Sequence, residues 1–409
     1  MNTGRGYGRS PWTGAGPRGM AAVLLCLCVV LTAGCSGSPD GEEDVPGAAR
    51  TPPSSTAPAA PPRIPSATDL PGVSHTVGFA ADGSGFTLTA ECDQGGCRQH
   101  AAVLEAGAGL WRPVRSPLPD LTTDQGITAG LTVLGPGRAL ITEGAERADR
   151  PGRTWFTADY GGTWRRGSTR PTGRTATVPT GAALVTDCRE PSGDGCARSR
   201  LLIVLPDTGE HRVLTHRPPL TGVLSPAGDI AENALFMAGQ DPETGLPALA
   251  LSGDRGRSWR PTHMTGAAED GWAPRVVAGR RGMYAVQPGQ PPSEEGVKNG
   301  LLTLHVSTDG GGTWTRIWRY RPGVEPLSIL GDLVVTDDDR LTVYGETGVW
   351  HSDEQARTFR FEGAARGPAG SVRQTPIGWL WSDSYGKGAY RISADGTHWH
   401  DFRLGTEGG

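Results

Sequence analysis

Ser307-Thr308-Asp309-Gly310-Gly311-Gly312-Thr313-Trp314 is the stretch on which the fold turns. Its pattern, Ser/Thr-x-Asp-x-Gly-x-Ser/Thr-Trp, recurs in full at Thr157-Ala158-Asp159-Tyr160-Gly161-Gly162-Thr163-Trp164 and at Ser252-Gly253-Asp254-Arg255-Gly256-Arg257-Ser258-Trp259. Ser393-Ala394-Asp395-Gly396-Thr397-His398-Trp399 is one residue short. Eroded copies fill the gaps: Ser352 to Phe359 keeps Ser, Thr and an aromatic, Leu205 to Arg212 keeps Asp207 and Gly209, and Leu104 to Trp111 keeps the Trp. The anchor positions 111, 164, 212, 259, 314, 359 and 399 are separated by 53, 48, 47, 55, 45 and 40 residues, on average 48.

A fixed period of 40–50 residues is the signature of a β-propeller, in which each repeat forms one four-stranded antiparallel blade. His75 to Leu404 spans 330 residues, or seven units of about 47. The fold class is therefore all-β, a seven-bladed propeller, or six-bladed if Leu205–Arg212 is not a true repeat. In the first unit Thr76–Ala80, Gly85–Glu91, Arg98–Leu104 and Leu110–Arg115 read as strands A to D. Thr128–Leu134, Arg138–Glu143, Thr154–Asp159 and Thr163–Arg166 do the same in the second, and Thr397–Arg403 closes the last unit as strand D. Each blade then starts at A and ends at D, which predicts ring closure by packing between the first and last sheets without an exchanged strand.

The repeated octapeptide resembles the Asp-box, or bacterial neuraminidase repeat, found in sialidases and in many non-enzymatic propellers. The resemblance implies a structural job in the C-to-D hairpin. The carboxylates of Asp159, Asp254, Asp309 and Asp395 accept turn N–H groups, Gly161, Gly256 and Gly311 adopt positive φ, and Trp164, Trp259, Trp314 and Trp399 pack between blades. It also implies that these aspartates lie on the face opposite the ligand-binding side, so they are read neither as metal ligands nor as catalytic acids. No metal or cofactor is expected.

Composition agrees with a β fold. Gly (62) and Pro (34) make about 23% of 409 residues, against roughly 12% in average usage, and they are the two worst residues for a helix interior. The formal charge of −4 carries no electrostatic footprint for nucleic acid. The basic residues are almost all Arg, with Lys only at 298 and 387.

The first 34 residues read as an export signal. Arg5, Arg9 and Arg18 precede an apolar run, Met20 to Thr32, that is too short to span a bilayer. The run ends in Leu31-Thr32-Ala33-Gly34-Cys35, which resembles the bacterial lipoprotein cleavage box. The resemblance implies cleavage before Cys35, a diacylglyceryl group on its sulfur and anchoring to the outer face of the cell membrane. Loss of three Arg and no acid takes the charge from −4 to −7. Residues 35–73, rich in Pro, Ser and Ala, read as a disordered tether, and 74–409 as the propeller, a monomer. Cys92 with Cys97 and Cys188 with Cys196 each join the end of a strand B to the start of a strand C, and they read as hairpin disulfides in keeping with export.

Chemistry is less legible. Sialidases use an arginine triad, a Tyr nucleophile with a Glu partner, and an acid/base Asp, with one triad Arg carried by a first-strand Phe/Tyr-Arg-Ile/Leu-Pro. Pro62-Arg63-Ile64-Pro65 lacks the aromatic and falls in the tether, so it is read as coincidence. No Gly-x-Ser-x-Gly, His-Glu-x-x-His or phosphate loop is present. Two readings stand: a surface-tethered module that binds or scaffolds a protein, glycan or small ligand, which the eroded repeats favour, and an exo-sialidase-like glycoside hydrolase. The working face is assigned to the B-to-C loops, Ala145–Gly152, Cys188–Cys196, Asp241–Gly245, Pro288–Asn299 and Asp383–Gly386, because long loops that vary between equivalent units carry function. Trp272 and Arg275 at the fifth D-to-A junction, with Tyr385 and Lys387 from the seventh blade, are the expected ligand contacts, suited to an anionic or sugar-like group.

Overall fold

The computed structural model describes residues 60–406 apart from 123–126, 144–150, 194, 230–232, 354–355, 364–368 and 384–385. The signal segment, Cys35, Tyr385 and most of the Ala145–Gly152 loop lie outside the described residues. Every regular element among the described residues is a strand, twenty-eight in all.

The chain forms antiparallel meanders one after another. The first is β1 (Val73–Phe79), β2 (Gly85–Asp93), β3 (Gly96–Leu104) and β4 (Arg112–Val114). The second is β5 (Gly130–Gly135), β6 (Arg138–Thr142), β7 (Arg153–Thr157) and β8 (Arg165–Ser168). The third holds β9 (Arg174–Thr175), β10 (Ala183–Ser192), β11 (Gly195–Val204) and β12 (His211–Leu214). Next come β13 (Thr221–Asp229), β14 (Leu235–Gln240), β15 (Pro247–Ser252) and β16 (Arg260–Thr265), then β17 (Arg275–Ala278), β18 (Met283–Gly289), β19 (Gly300–Ser307) and β20 (Thr313–Arg319). The last two are β21 (Val334–Val335), β22 (Leu341–Gly345), β23 (Gly348–Ser352) and β24 (Phe359–Glu362), and β25 (Ser371–Thr375), β26 (Gly378–Ser382), β27 (Ala389–Ser393) and β28 (His400–Arg403). Hydrogen bonding groups them into six sheets, because the outer strands β16 and β20 pair in parallel and fuse two meanders into one eight-stranded sheet.

Alternating strands place apolar side chains on both faces of each meander, and each face is buried against the next meander in sequence. Phe86 and Val103 meet Ala139, Leu140 and Phe156 meet Val204, and Ile203 meets Met237. Ala238 meets Ala285, Val286 meets Val343, and Val343 shares a cluster with Val372 and Trp379. The series closes on itself, because Val77 and Phe79 of β1 share a core with Leu380, Ile392 and Phe402 of the last meander. A closed ring of radially packed meanders is the propeller architecture.

Two features depart from the sequence reading. In the third meander the strand order is β10-β11-β12-β9, so its first strand lies at the outer edge, parallel to β12. The stretch preceding β10 carries Pro171 and Pro179, which lack a ladder donor, and it is held from outside the meander, with Val178 N–H donating to Arg255 O at 2.8 Å. Second, the fold begins before Ser74. Ile64, Ala67 and Leu70 are buried, and Ala67 forms a parallel bridge with Leu404, so this part of the supposed tether belongs to the ring. No strand is exchanged at closure, but backbone pairing across the seam supplements packing.

The repeated Asp-bearing turns join the third and fourth strands of their meanders. In Ser307–Trp314, Asp309 Oδ1 accepts the Thr313 N–H at 3.0 Å, its Oδ2 accepts the Thr313 hydroxyl at 2.7 Å, and the Ser307 hydroxyl accepts the Gly311 N–H at 2.8 Å. Gly311 has φ 87°, and a Cβ there would lie 2.4 Å from Phe236 of the preceding meander, so conformation and close approach both require glycine. Asp159 and Asp254 repeat the arrangement. Trp314 is buried edge-on against Phe236, whereas Trp164, Trp259 and Trp399 are only half-buried.

Candidate functional site at the channel mouth

Because consecutive strands run antiparallel in every meander, the step from β9 to β10 excepted, the first-to-second and third-to-fourth turns lie on one side of the ring. The second-to-third turns and the links to the next meander lie on the other. The Asp-bearing turns occupy the former side. Both disulfides, Cys92–Cys97 and Cys188–Cys196, staple second-to-third turns on the latter.

On that second side the inner strands converge on one carboxylate. Asp332 sits in the link entering β21, positioned by its N–H donating to Val372 O at 2.6 Å. Its Oδ2 accepts the Gln374 N–H of β25 at 3.0 Å, and its Oδ1 lies 3.9 Å from Arg275 Nε at the start of β17. Arg373 of β25 donates to the backbone carbonyl of Val77 on β1. Burial pushes both guanidinium groups below their ordinary pKa, and Asp332 opposes that shift at each. Two cations thus share one anion, and the buried Nε of Arg275 has no hydrogen-bond partner.

Beside Arg373, across the seam between first and last meanders, is a cleft of about 240 Å³ lined by His75, Ser382, Asp383, Gly386 and Tyr390. Burial lowers the pKa of His75, whose buried Nε2 is also unpartnered, so the ring is neutral. The Tyr390 hydroxyl lies 2.9 Å from the Ser74 hydroxyl, and burial raises its pKa first and foremost.

Of the residues singled out from sequence, Arg275 stands at the mouth. Trp272 lies on the same side, its N–H donating to Pro288 O at 2.7 Å and its side chain 46% exposed. The Lys387 N–H donates to the Asp383 carboxylate, at 3.0 Å to Oδ2, in the turn whose Gly386 lines the seam cleft. Sequence reasoning missed Asp332, Arg373 and His75. Arg373 carries one faint signal, the alternation Ser371-Val372-Arg373-Gln374-Thr375, which marks a strand with one polar face. Arg63 is exposed beside the outermost strand β28, away from the mouth, so its short motif has no part in the site.

No protein-family model and no curated protein matches the chain. Solved structures that it is similar to include YCF48 bound to D1 peptide, at 14% identity and TM-score 0.32, covering 85% of this chain and 87% of that one. Another is the β-propeller domain of the Trilobed protease from Pyrococcus furiosus, at 10% identity and TM-score 0.43, covering 80% and 97%. A third is the GH93 α-L-arabinofuranosidase of Fusarium graminearum with arabinobiose, at 10% identity and TM-score 0.35, covering 82% and 90%.

Proposed function

We propose that this chain is an exported, lipid-anchored, seven-bladed Asp-box propeller that binds an anionic group of its ligand at the channel mouth. The observation that carries the reading is the placing of two guanidinium groups, Arg275 and Arg373, around the single carboxylate of Asp332. An oxyanion beside the two guanidinium groups adds a second counter-charge to that of Asp332, and charge-assisted bonds of this kind are about twice as strong as neutral ones. Trp272 and the neutral His75 add an aromatic face and a polar ring nitrogen on the same side. The two disulfides suit an oxidising compartment outside the cytosol.

Three of the described tyrosines are poorly set as nucleophiles. Burial pushes Tyr284 and Tyr390 up, and Tyr344 up to about 12, away from the phenolate that a tyrosine nucleophile must become.

The test is calorimetric titration of the full chain with N-acetylneuraminate at low salt, alongside Arg275→Ala. At least tenfold weaker binding by the variant, with stability changed by less than about 1 kcal/mol, supports the mouth site; equal binding by both overturns it. Turnover of a fluorogenic sialoside would replace the binding reading with the hydrolase. Anchoring is checked separately. Cys35→Ala moves the protein from the membrane fraction to the soluble one, and unchanged partitioning excludes the lipid.

A further inference from the structure

Outer strands of this ring are covered wherever the chain permits. β12 is paired by β9, β16 and β20 pair with each other, and β28 is flanked by Ile64–Ala67, through the His400 ring nitrogen on Ile64 O at 2.9 Å and the Ala67–Leu404 bridge. β8 is different. It pairs with β7 on one side, and no described segment pairs with its other edge. The stretch that leaves β4, which by analogy with β9 would run along it, instead turns back on its own meander. Leu121 exchanges two backbone bonds with Cys97, at 2.8 and 2.9 Å, and Pro119 O accepts the Gln99 side chain at 2.9 Å.

The other open edges are defended. β4 is three residues long and contains Pro113, and β24 alternates Arg360 with Glu362, itself 2.6 Å from His351. β8 reads Arg165-Arg166-Gly167-Ser168, exposed throughout, with no proline and no acid. Residues 161–176 hold four arginines, 165, 166, 170 and 174, and no carboxylate. Between β8 and the turn at Thr208–Glu210 runs a groove of about 680 Å³, floored by Phe156 and walled by Arg165, Arg166 and Arg170. Arg165 lies over the Phe156 ring and donates to Thr208 O, so it is fixed. Glu210, the acid in the wall, is engaged by Arg212 at 2.6 Å and Thr172 at 3.2 Å. Arg166 lies over the Trp155 ring at 6.0 Å, and neither it nor Arg170 has an ion pair among the described residues.

An unpaired edge presents a row of backbone donors and acceptors, and main-chain pairing there gives affinity while side-chain pockets give selectivity. A uniformly cationic edge repels a second copy of itself and admits an anionic strand. We infer that β8 and its groove take an extended acidic segment of a partner protein, added as a fifth strand with its carboxylates on Arg166 and Arg170. This surface is on the outer wall of the ring and does not depend on the channel-mouth site.

The test is fluorescence anisotropy of the full chain in neutral detergent with a labelled ten-residue peptide alternating Glu and Thr. Binding is expected to fall at least tenfold with Arg166→Glu/Arg170→Glu, with a peptide whose Glu are replaced by Gln, and with a peptide N-methylated at alternate backbone amides. Should the double variant unfold, the Gln peptide on the unaltered protein reads the charge contribution, and Arg170→Gln reads it at one site. Arg275→Ala should leave this binding unchanged. Failure of the Glu–Thr peptide to bind, equal binding by the charge-reversed variant, or equal binding of the N-methylated peptide overturns the proposal. Displacement of the peptide by phosphatidylglycerol carried in the same detergent micelles, and not by phosphatidylcholine, would assign the patch to lipid headgroups instead.

Discussion

Arg275 Nε approaches Asp332 Oδ1 only to 3.9 Å, while the other oxygen of Asp332 is tied to the Gln374 N–H at 3.0 Å. One carboxylate therefore joins the inner strands of successive meanders, and it is better bonded to the backbone than to the cation it faces. Its role is to hold the mouth together and to moderate its charge. Asp332→Asn should cost about 1 kcal/mol or less, the net scale of one exposed hydrogen bond, and should at the same time tighten binding of N-acetylneuraminate by removing a competing anion. Urea unfolding and calorimetry read the two effects. Weaker binding by Asp332→Asn would show that the carboxylate contacts the ligand favourably.

The Asp-bearing turns make stability depend on acid pH. Hydrogen bonds from Ser258 hold Asp254 at about 2. At Asp395 burial works against ionisation, but the His398 and Thr397 donors prevail and its pKa is also about 2. Unfolded, both return toward the ordinary carboxyl value of 3.8. A carboxyl depressed in the folded state contributes stability above its unfolded pKa and loses it as pH falls through the folded one. Urea midpoints should therefore fall in two stages, first below about pH 6.5 as the unfolded chain protonates His75, His211 and His305, which burial holds down in the folded state (His305 at about 4), and then further toward pH 2 as the Asp-bearing turns are protonated. Asp395→Asn should be less stable at pH 7, with the difference shrinking by pH 2. A constant difference across that range would mean the carboxylate charge is not what the turn uses.

Tryptophans that look equivalent in sequence differ in burial. Trp314 is 1% exposed and packs at 6.0 Å on Phe236, whereas Trp259 is half-buried, with its Nε1–H donating to His216 O at 3.1 Å. Trp314→Ala should cost about 3–5 kcal/mol, the scale for emptying a buried aromatic site, and Trp259→Ala clearly less. Chemical denaturation of both variants compares them, and equal losses would mean the fourth and fifth meanders are not packed as described.

What the sequence made legible was everything repeated. The turns at Asp159, Asp254 and Asp309 announce strand ends because a carboxylate, a positive-φ glycine and an aromatic are needed together at fixed spacing. The hairpin disulfides follow from the same phase. What stayed hidden depends on long-range closure. Asp332 and Arg373 lie about forty residues apart and meet only because inner strands converge, and nothing local marks either. Ile64 and Leu70 stand in a Pro-rich run whose composition says tether, yet the run includes apolar residues at the spacing that the seam buries. The outer position of β9 was equally invisible, since its two residues have no pattern of their own.

The two ends of the ring meet along a seam that begins upstream of β1. Ala67 N–H donates to Arg403 O at 2.8 Å, Gly405 N–H to Ala67 O at 2.9 Å and Thr406 N–H to Gly72 O at 2.8 Å. Trp111 Nε1–H donates to Pro65 O at 2.9 Å, which ties the same segment to the first meander. Ile64 and Leu70 fill the core shared by the first and last meanders, and full burial of such a side chain is worth about 1.5–3 kcal/mol each. A protein beginning at Ser74 should therefore be at least about 3 kcal/mol less stable than one beginning at Pro61, with the loss greatest at the seam. Urea unfolding of the two forms measures the difference. Hydrogen exchange locates it, because the Arg403, Gly405 and Thr406 amides, whose acceptors are Ser66 Oγ, Ala67 O and Gly72 O, should lose protection first. Equal stability would mean that residues 61–73 ride on a ring already closed by side-chain packing alone. A loss confined to those amides, with the global midpoint unchanged, would make the segment a local cover and not part of the closure.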